Sequence, residues 1–212
     1  DLMEKDGRKY VRVVDYKSGS KAFRLDDVYY GLNLQMLIYL FSIWKNGKGE
    51  LADCLPAGVL YLPAKDHIIS TSREASDEQV EREHQKRYKM SGLVLEDPAC
   101  VAGMEEKVAG VFIPVKTKSD GSFDARSSLA TLEQMGRIQR HIELMLTEMA
   151  QNLQDGQIDA VPSVGLGYEP CQYCDYKPIC QHQQQDRQHK LTEMGKEGFY
   201  QALKEEEDGT AE

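Results

Sequence analysis

The sequence predicts an α/β domain built on a mixed sheet that is flanked by helices. A β-branched apolar run occupies residues 10–16, a helix-periodic segment follows at residues 27–45, and Thr131 opens a long second helical pattern. Strands and helices that alternate along a chain favour layered α/β packing. With 212 residues, the chain is long enough for one such domain and a small appendage.

The chain opens with a predicted β-hairpin. Asp6-Gly7 separates residues 2–3 from the run at residues 10–16, and Asp-Gly between β-prone segments is a strong hairpin signal. We expect residues 10–16 to form a central strand. The first arm is very short, so we expect the sequence to begin inside a strand whose other residues lie upstream of Asp1.

A helix is predicted over residues 27–45 and is expected to pack on that strand. Apolar side chains recur within it at helical spacing, Asp26 or Asp27 can cap its start, and Asn46-Gly47 ends it. A short strand follows at residues 58–62.

The rest of the sequence predicts further elements and a three-part organisation. A charged, exposed helix is predicted at residues 76–90, and a hairpin begins at residues 111–116 with its turn at 119–121. A further helix is predicted from Thr131 to about Leu153. A capping box with Gln134 opens it, and Gly156 ends it. The parts are a core at residues 1–160, a cysteine segment at 161–182, and a helix or tail at 183–212 that is partly disordered after Lys204.

Charge and hydropathy narrow the class of protein. The net charge is -9 and the sequence pI is about 5.1, which taken alone argues against nucleic-acid binding, because such binding usually relies on a basic surface. The acids are concentrated at residues 74–83 and 205–212, so a local basic groove stays compatible with this charge. No apolar run approaches the roughly 20 residues of a membrane span, and no signal-peptide pattern is present. We expect a cytoplasmic protein with no membrane partner.

The strand at residues 10–16 ends in an unusual way, in Asp15, Tyr16 and Lys17. Asp15 and Lys17 are two residues apart on one strand, so both side chains lie on the same face. A carboxylate and a backbone carbonyl can hold Mg²⁺ or Mn²⁺, and a nearby ammonium group can stabilise negative charge while a phosphodiester is cleaved. For an isolated D-x-K pattern, an edge-strand salt bridge before a turn is the more frequent explanation.

Gln35 and Tyr39 are candidates to border the same site. They are four residues apart on the predicted helix and therefore share a face. The helix follows the strand directly, which favours proximity to Asp15. The alternative is the polar edge of a half-buried helix.

Three of the five cysteines form a compact C-x₂-C-x₅-C pattern: Cys171, Cys174 and Cys180. With no secretory signal, this spacing favours metal binding over disulfides. Cys54 or Cys100 could supply a fourth ligand to a structural zinc ion. Three reduced thiols in a loop are the other possibility.

Taken together, these motifs resemble a known family. VVDYKSG, then Q-x-x-x-Y within YYGLNLQMLIYL, GVLYLP, the segment around Pro114, the long helix and CQYCDYKPIC occur in the order found in the RecB-type branch of the PD-(D/E)xK nuclease superfamily. The similarity is strongest to AddB-like C-terminal nuclease domains. It implies a restriction-endonuclease-like core with a cysteine-containing extension. It also implies a metal-dependent DNA exonuclease that acts with an AddA-like helicase–nuclease partner on DNA ends, in double-strand-break processing and recombinational repair.

The resemblance also implies roles for individual residues. Asp15 and Lys17 correspond to the catalytic acid and lysine, and Tyr16 offers its backbone carbonyl to Mg²⁺ or Mn²⁺. Gln35 and Tyr39 correspond to the pair that supports the site and the DNA. Cys171, Cys174 and Cys180 correspond to three ligands of a [4Fe–4S] cluster, whose fourth ligand is a cysteine far upstream.

This sequence departs from the family pattern at its start. The family has a further acidic ligand in a G-x-I-D-R-I-D segment before the hairpin. If Asp1 is the last residue of that segment, the acid lies three residues upstream of Asp1, and Asp1 itself could lie near the metal. Two alternatives follow: a catalytically incomplete module of the same fold that binds DNA or a helicase partner, and a zinc-binding interaction protein.

Overall fold

The computed structural model describes residues 1–19, 21–64, 68–105 and 110–209. Its strands are β1 (Leu2–Lys5), β2 (Arg8–Lys17), β3 (Leu55–Pro63), β4 (Ser91–Leu95), β5 (Leu129–Ala130), β6 (Ser163–Val164) and β7 (His189–Lys190). Its α-helices are α1 (Leu25–Tyr29), α2 (Gln35–Asn46), α3 (Asp77–Arg87), α4 (Pro98–Met104), α5 (Leu132–Gln154), α6 (Lys177–Cys180) and α7 (Gly195–Gly209). The chain divides into two compact units, a sheet unit of Asp1–Arg24 with Asn33–Gln139, and a C-terminal unit of Leu25–Leu32 with Arg140–Glu212.

The sheet unit contains the predicted mixed sheet, with five strands in the order β1-β2-β3-β4-β5. β2 is antiparallel to β1 and parallel to β3, while β4 is antiparallel to β3 and parallel to β5. β2 is an interior strand, as expected, but the middle position belongs to β3. The reason is burial, because six consecutive residues of β3 are buried and require covered neighbours on both sides.

The predicted N-terminal hairpin is confirmed. β1 and β2 pair in register from Leu2 opposite Val11 to Lys5 opposite Arg8. Asp6 and Gly7 connect them with φ values of 51° and 70°. Positive φ at both central residues is the requirement of a type I′ turn, and its twist matches that of the paired strands.

The two faces of the sheet are covered differently. One face carries a cluster of buried residues that includes Leu60 and Val94, with Val14 packed against it. α2 lies against β2 and β3 and contributes no residue to that cluster. It therefore covers the opposite face, the one to which Asp15 and Lys17 belong by strand alternation.

The single helix predicted over residues 27–45 is wrong in one respect, because the structure divides it into α1 and α2. Gly31 and Asn33 adopt φ values of 76° and 57° between the two helices, and such left-handed residues interrupt a right-handed helix. Asp26 and Asp27 also lie inside α1 instead of capping it. Their carboxylates accept hydrogen bonds from Met194 N and the Tyr168 hydroxyl, within the C-terminal unit.

Several other elements differ from the prediction. The charged helix is confirmed as α3, with a capping box between Ser76 and Gln79. β4 and α4 were not predicted. The expected hairpin strand at residues 111–116 does not form in the described part of the chain, and the turn beyond it is closed only by an isolated bridge of Thr117 with Phe123. The Glu105 carboxylate accepts from the backbone N–H groups of residues 111–113, which a strand partner would otherwise bind.

The C-terminal unit is mainly helical and contains most of α5. This helix opens at the predicted capping box, in which Thr131 and Gln134 bond reciprocally, and Gly156 follows its end with φ of 68°. α7 buries Phe199, Tyr200 and Leu203. Residues after Lys204, where the sequence predicted a partly disordered tail, continue α7 as far as Gly209. Over the described ranges of both units, no helix has the length and apolar character needed to cross a membrane.

Candidate functional site

Asp15 and Lys17 form an ion pair at the C-terminal end of β2. Lys17 Nζ lies 2.5 Å from Asp15 Oδ2, and the two side chains are 32% and 31% exposed. The period of the strand brings both groups to one face, as the sequence predicted. A partly exposed pair of this kind is accessible to a ligand from solvent and still shielded enough for its charges to interact strongly.

Tyr61 lies beside this pair on the neighbouring strand. The parallel register places it directly next to Asp15, and its side chain is buried. Lys17 Nζ lies 5.6 Å from the centroid of the Tyr61 ring, within the range of a cation–π contact. The ring and the Asp15 carboxylate thus hold the ammonium group from two sides. The sequence predicted a strand at residues 58–62 but did not associate Tyr61 with Asp15.

The backbone carbonyl of Tyr16 points to the side of β2 on which β1 lies, but β1 pairs with β2 only as far as Arg12. Arg12 exchanges both backbone hydrogen bonds with Asp1 on the β1 side, whereas Lys17 accepts from Ala64 N on the β3 side. Because backbone groups alternate along a strand, the carbonyl of Tyr16 points to the same side as that of Arg12. Beyond Arg12, no described strand lies there. A backbone carbonyl is an oxygen ligand of the kind that Mg²⁺ binds, and the use of this one as a ligand stays a prediction.

The residues present fit a weakly held divalent cation. Lys17 occupies Asp15 Oδ2, and within the described residues Asp15 Oδ1 has no hydrogen-bond or ion-pair partner. No group of three His, Cys, Asp or Glu side chains that could hold a metal ion occurs in that same part of the chain. One carboxylate and one carbonyl suffice for Mg²⁺ only when waters or substrate phosphate complete its six positions.

Asp1 does not lie beside Asp15. Its carboxylate is 2.9 Å from Arg12 Nε, and its backbone pairs with Arg12. Directly opposed residues of antiparallel strands share a face, and Arg12 is three residues from Asp15. Asp1 therefore points to the other face, and the expectation that it could lie near the metal is wrong.

Gln35 and Tyr39 interact as the helical spacing predicts. Gln35 is the first residue of α2, and its Nε2 donates to the Tyr39 hydroxyl over 3.0 Å. Both side chains are exposed, and Tyr39 retains 52% of its accessible surface. They lie on the helix that covers the sheet face of Asp15. That they act in one site with Asp15 stays a prediction.

A second lysine lies between these groups, and no sequence pattern indicated it. Lys21 Nζ donates to Asn33 Oδ1 over 2.6 Å and lies 5.1 Å from the centroid of the Tyr61 ring. Asn33 is two residues before Gln35. Lys21 and Asn33 are on separate loops, so no regular spacing connects them. Lys21 therefore links Tyr61, beside Asp15, to the segment that begins α2.

The three clustered cysteines line one cleft of the C-terminal unit. Cys171, Cys174 and Cys180 border a cavity of about 730 Å³ together with Tyr168 and His182. Within the described ranges, however, these residues do not form a group able to hold a single metal ion. The three thiols therefore share one cleft, and the group they would bind, a zinc ion or a cluster, stays a prediction.

His182 provides a further observation on this cleft. Its side chain is 10% exposed, and its Nε2 is buried with no hydrogen-bond partner among the described residues. A buried polar atom without a partner costs about 1–3 kcal/mol. A group bound in the cleft that interacts with this nitrogen would remove that cost.

Cys54 and Cys100 are buried in the core of the sheet unit. Burial, and then the Asp97 charge, raises the pKa of the Cys100 thiol to about 12. Its Sγ lies 4.0 Å from the carbonyl of Ala57. Zinc requires deprotonated, reachable thiolates, so the environment of Cys100 opposes its proposed use as a zinc ligand.

Comparison with known proteins agrees with this geometry. Residues 1–181 match the sequence model of the PD-(D/E)XK nuclease superfamily. The matched segment contains the D-x-K strand, the Q-x-x-x-Y helix and all three clustered cysteines.

Individual relatives are similar over most of this chain, and each is a subunit of an ATP-dependent helicase/deoxyribonuclease. The one from Clostridium acetobutylicum is 41% identical over 183 residues, which cover 85% of this chain and 16% of the relative. The one from Clostridium botulinum strain Loch Maree is 36% identical over 215 residues, covering 96% of this chain and 18% of the relative. The one from Thermoanaerobacter sp. strain X514 is 34% identical over 182 residues, covering 85% of this chain and 16% of the relative. The chain thus spans less than a fifth of the length of these relatives.

Proposed function

We propose, from the premise that the chain belongs to the PD-(D/E)XK nuclease superfamily, that it is the nuclease domain of a DNA helicase–nuclease. Its reaction is the metal-dependent hydrolysis of DNA phosphodiester bonds as an exonuclease. The observation that carries the proposal is the Asp15–Lys17 pair, with Nζ and Oδ2 2.5 Å apart at the accessible end of β2. Relatives with 34–41% identity carry "helicase/deoxyribonuclease" in their names.

Each member of the proposed site has a separate task. Asp15 Oδ1 and the Tyr16 carbonyl hold a divalent cation, Mg²⁺ or Mn²⁺. When bound, that cation supplies Lewis-acid polarisation of a phosphate oxygen and an acidified water. Lys17 places a positive charge beside the developing negative charge on the phosphate, which a fixed ammonium group stabilises best when it is preorganised. Tyr61 and Asp15 provide that preorganisation.

The register of the hairpin supports a second carboxylate in the native protein. Leu2 pairs with Val11 and Asp1 with Arg12, so each step upstream on β1 advances one residue on β2. A strand continued in this register would place the residue three positions before Asp1 opposite Asp15. The family resemblance assigns its further acid to that position. Directly opposed residues share a face, so the two carboxylates would lie together on the face of Lys17.

Gln35 and Tyr39 support this site in the proposal. Their mutual hydrogen bond fixes two polar side chains on the exposed edge of α2. An amide and a phenol there can donate to phosphate oxygens and stack on a base, which are the usual contacts to a single strand.

The cysteine cleft is proposed to hold a [4Fe–4S] cluster in the native protein. Cys171, Cys174 and Cys180 provide three thiolate ligands, and an upstream cysteine provides the fourth. The cleft that the three cysteines share supports this proposal. The cluster is given no chemical step here, since its proposed task is to stabilise the C-terminal unit.

The proposed substrate is a DNA single strand delivered from a duplex end by a helicase–nuclease partner. The work of such a complex is the processing of double-strand breaks before recombinational repair. This role places the protein in the cytoplasm, where the DNA of bacteria lies. The names of the relatives support a helicase association and a DNA substrate.

The test is a cleavage assay on the native protein that contains this chain. Labelled single-stranded DNA, duplex DNA and RNA of one sequence are each incubated with Mg²⁺, with Mn²⁺ or with EDTA. We expect DNA to be shortened from an end with either metal and to stay intact in EDTA. Equal cleavage in EDTA, or preferential cleavage of RNA, would contradict the proposal.

A catalytically incomplete DNA-binding module is the second candidate. Its support is that, within the described residues, Asp15 belongs to no group of three His, Cys, Asp or Glu side chains that could hold a metal ion. The same assay distinguishes the two candidates. Binding of DNA without cleavage in either metal would favour the module.

A further inference from the structure

Lys21 is a partly buried cation that contacts no anionic side chain among the residues that the structure describes. Its ammonium group donates to the neutral Asn33 Oδ1 over 2.6 Å and lies 5.1 Å from the Tyr61 ring centroid. Within the described part of the chain, no carboxylate forms an ion pair with it. This is notable in a protein of net charge -9, in which acids are abundant.

The side chain of Lys21 is nevertheless held in place. An ammonium group has three N–H donors, and Asn33 occupies one of them. The Tyr61 ring attracts the charge without using a donor. Two donors of a positioned cation therefore stay available to an anion, and the entropy cost of ordering this lysine has already been met in the folded protein.

The location of Lys21 indicates which anion it binds. Tyr61 lies within cation–π range of both Lys17 and Lys21, at 5.6 and 5.1 Å from its centroid. Tyr61 is also the cross-strand neighbour of Asp15. The two ammonium groups thus flank a single ring beside the proposed catalytic carboxylate. Only the Lys17 charge is compensated by an acid.

We infer that Lys21 binds a backbone phosphate of the nucleic-acid strand next to the phosphate that is cleaved. Lys17 acts on the reacting group, whereas Lys21 is a positioning residue that holds the strand in line with Asp15. Asn33 and Tyr61 orient Lys21 for this contact. The inference rests on the proposed nuclease function and adds a residue that its catalytic motif does not include.

The test measures the binding of a fluorescent single-stranded DNA to the 212-residue chain without divalent metal, between 50 and 200 mM salt. We expect Lys21→Ala to weaken binding about tenfold, the effect of losing one charge-assisted contact. The slope of log affinity against log salt should fall by about 0.7, the value for one phosphate contact on a single strand. Lys21→Arg should preserve most of the slope, because it keeps the charge.

Lys9→Ala is the matched control. Lys9 lies on β2, is also partly buried, and donates to the Glu50 carbonyl, but at the opposite end of the strand from Asp15. We expect it to leave affinity and slope unchanged. Unchanged affinity and slope in Lys21→Ala would overturn the role of Lys21 alone. Failure of the unaltered chain to bind DNA would overturn this inference together with the proposed DNA substrate.

Discussion

At the scale of single residues, two ion pairs of equal spacing have different surroundings. Asp124 and Arg126 repeat the acid-x-cation spacing of Asp15 and Lys17, with Arg126 Nη2 2.9 Å from Asp124 Oδ2. Hydrogen bonds from the Arg126 side chain and backbone hold the pKa of Asp124 well below its usual range. Both oxygens of Asp124 accept from Arg126, so a metal ion would have to compete with the guanidinium group at either oxygen.

Asp15 retains a free oxygen for a ligand because lysine is a point donor and cannot bridge both carboxylate oxygens as a guanidinium does. The pair also lies at a strand end with a buried aromatic ring beneath the lysine. Spacing alone therefore does not distinguish the two pairs, whereas the donor type and the neighbouring strand do. Asp124 is a suitable control in any test of Asp15.

At the scale of elements, the interruption between α1 and α2 determines the positions of Asn33 and Gln35. Gly31 has φ of 76°, and a Cβ added there would lie 2.6 Å from Met145 Sδ in the C-terminal unit. A continuous helix would need right-handed geometry at Gly31 and Asn33. The turn between them instead lets Asn33 accept from Lys21 before α2 begins at Gln35.

Two glycine substitutions test this interruption. Gly31→Ala should lower the free energy of unfolding by about 1–3 kcal/mol, because alanine is strained at positive φ and its Cβ meets Met145. Gly136→Ala is the matched control. Gly136 lies inside α5 with no atom within 4 Å of an added Cβ, so the change should raise the free energy of unfolding by about 0.5–1 kcal/mol. Urea unfolding measures both. Equal and favourable effects would show that Gly31 lies in a regular helix.

The sequence predicted the elements that depend on local signals. The Asp6-Gly7 turn, the Thr131 capping box and the β-branched run of β2 each act within a few residues and were found at the expected places. β4 has only five residues, and its apolar run has no periodicity that separates strand from helix. The sequence predicted a strand that includes residues 111–113. No strand forms there because the backbone N–H groups donate to the Glu105 carboxylate, a contact that local sequence patterns do not indicate.

In the candidate site too, the features that depend on local periods were predictable and the tertiary contacts were not. The faces of Asp15, Lys17, Gln35 and Tyr39 follow from strand and helix periods. The contacts of Tyr61, Lys21 and Asn33 depend on the parallel register of β2 with β3 and on loop geometry, which local spacing does not encode. The sequence motif thus predicted the candidate reacting groups, and the tertiary structure shows the residues that contact them.

At the scale of the whole molecule, each compact unit carries one of the two motifs. The sheet unit holds the Asp15–Lys17 pair, and the C-terminal unit holds the three clustered cysteines. The C-terminal unit has small elements around its cleft, among them the two-residue strands β6 and β7. Such short pairings bury little apolar surface, so a cluster that cross-links the cysteine segment would contribute substantially to its stability.

The cluster proposal gives a defined expectation for the native protein. Purified without oxygen, it should be brown and contain about four iron and four sulfide per chain, as a [4Fe–4S] cluster requires. Cys174→Ala should remove most of the iron and make residues 161–190 more sensitive to protease. Cys54→Ala, which changes a cysteine buried in the sheet unit, should keep the iron. The 212-residue chain purified in air should be colourless. Zinc without iron or sulfide in the native protein would contradict the cluster.

The central claim is that Asp15 and Lys17 form a nuclease centre, and its most direct test is the rate of DNA cleavage. In the native protein with saturating Mg²⁺, Asp15→Asn and Lys17→Ala should each lower the rate of single-strand cleavage by about a hundredfold or more, since each removes a group that acts on the transition state. Asp124→Asn should keep the normal rate, and circular dichroism should show all three variants folded. A near-normal rate in either Asp15→Asn or Lys17→Ala would remove that residue from the catalytic centre.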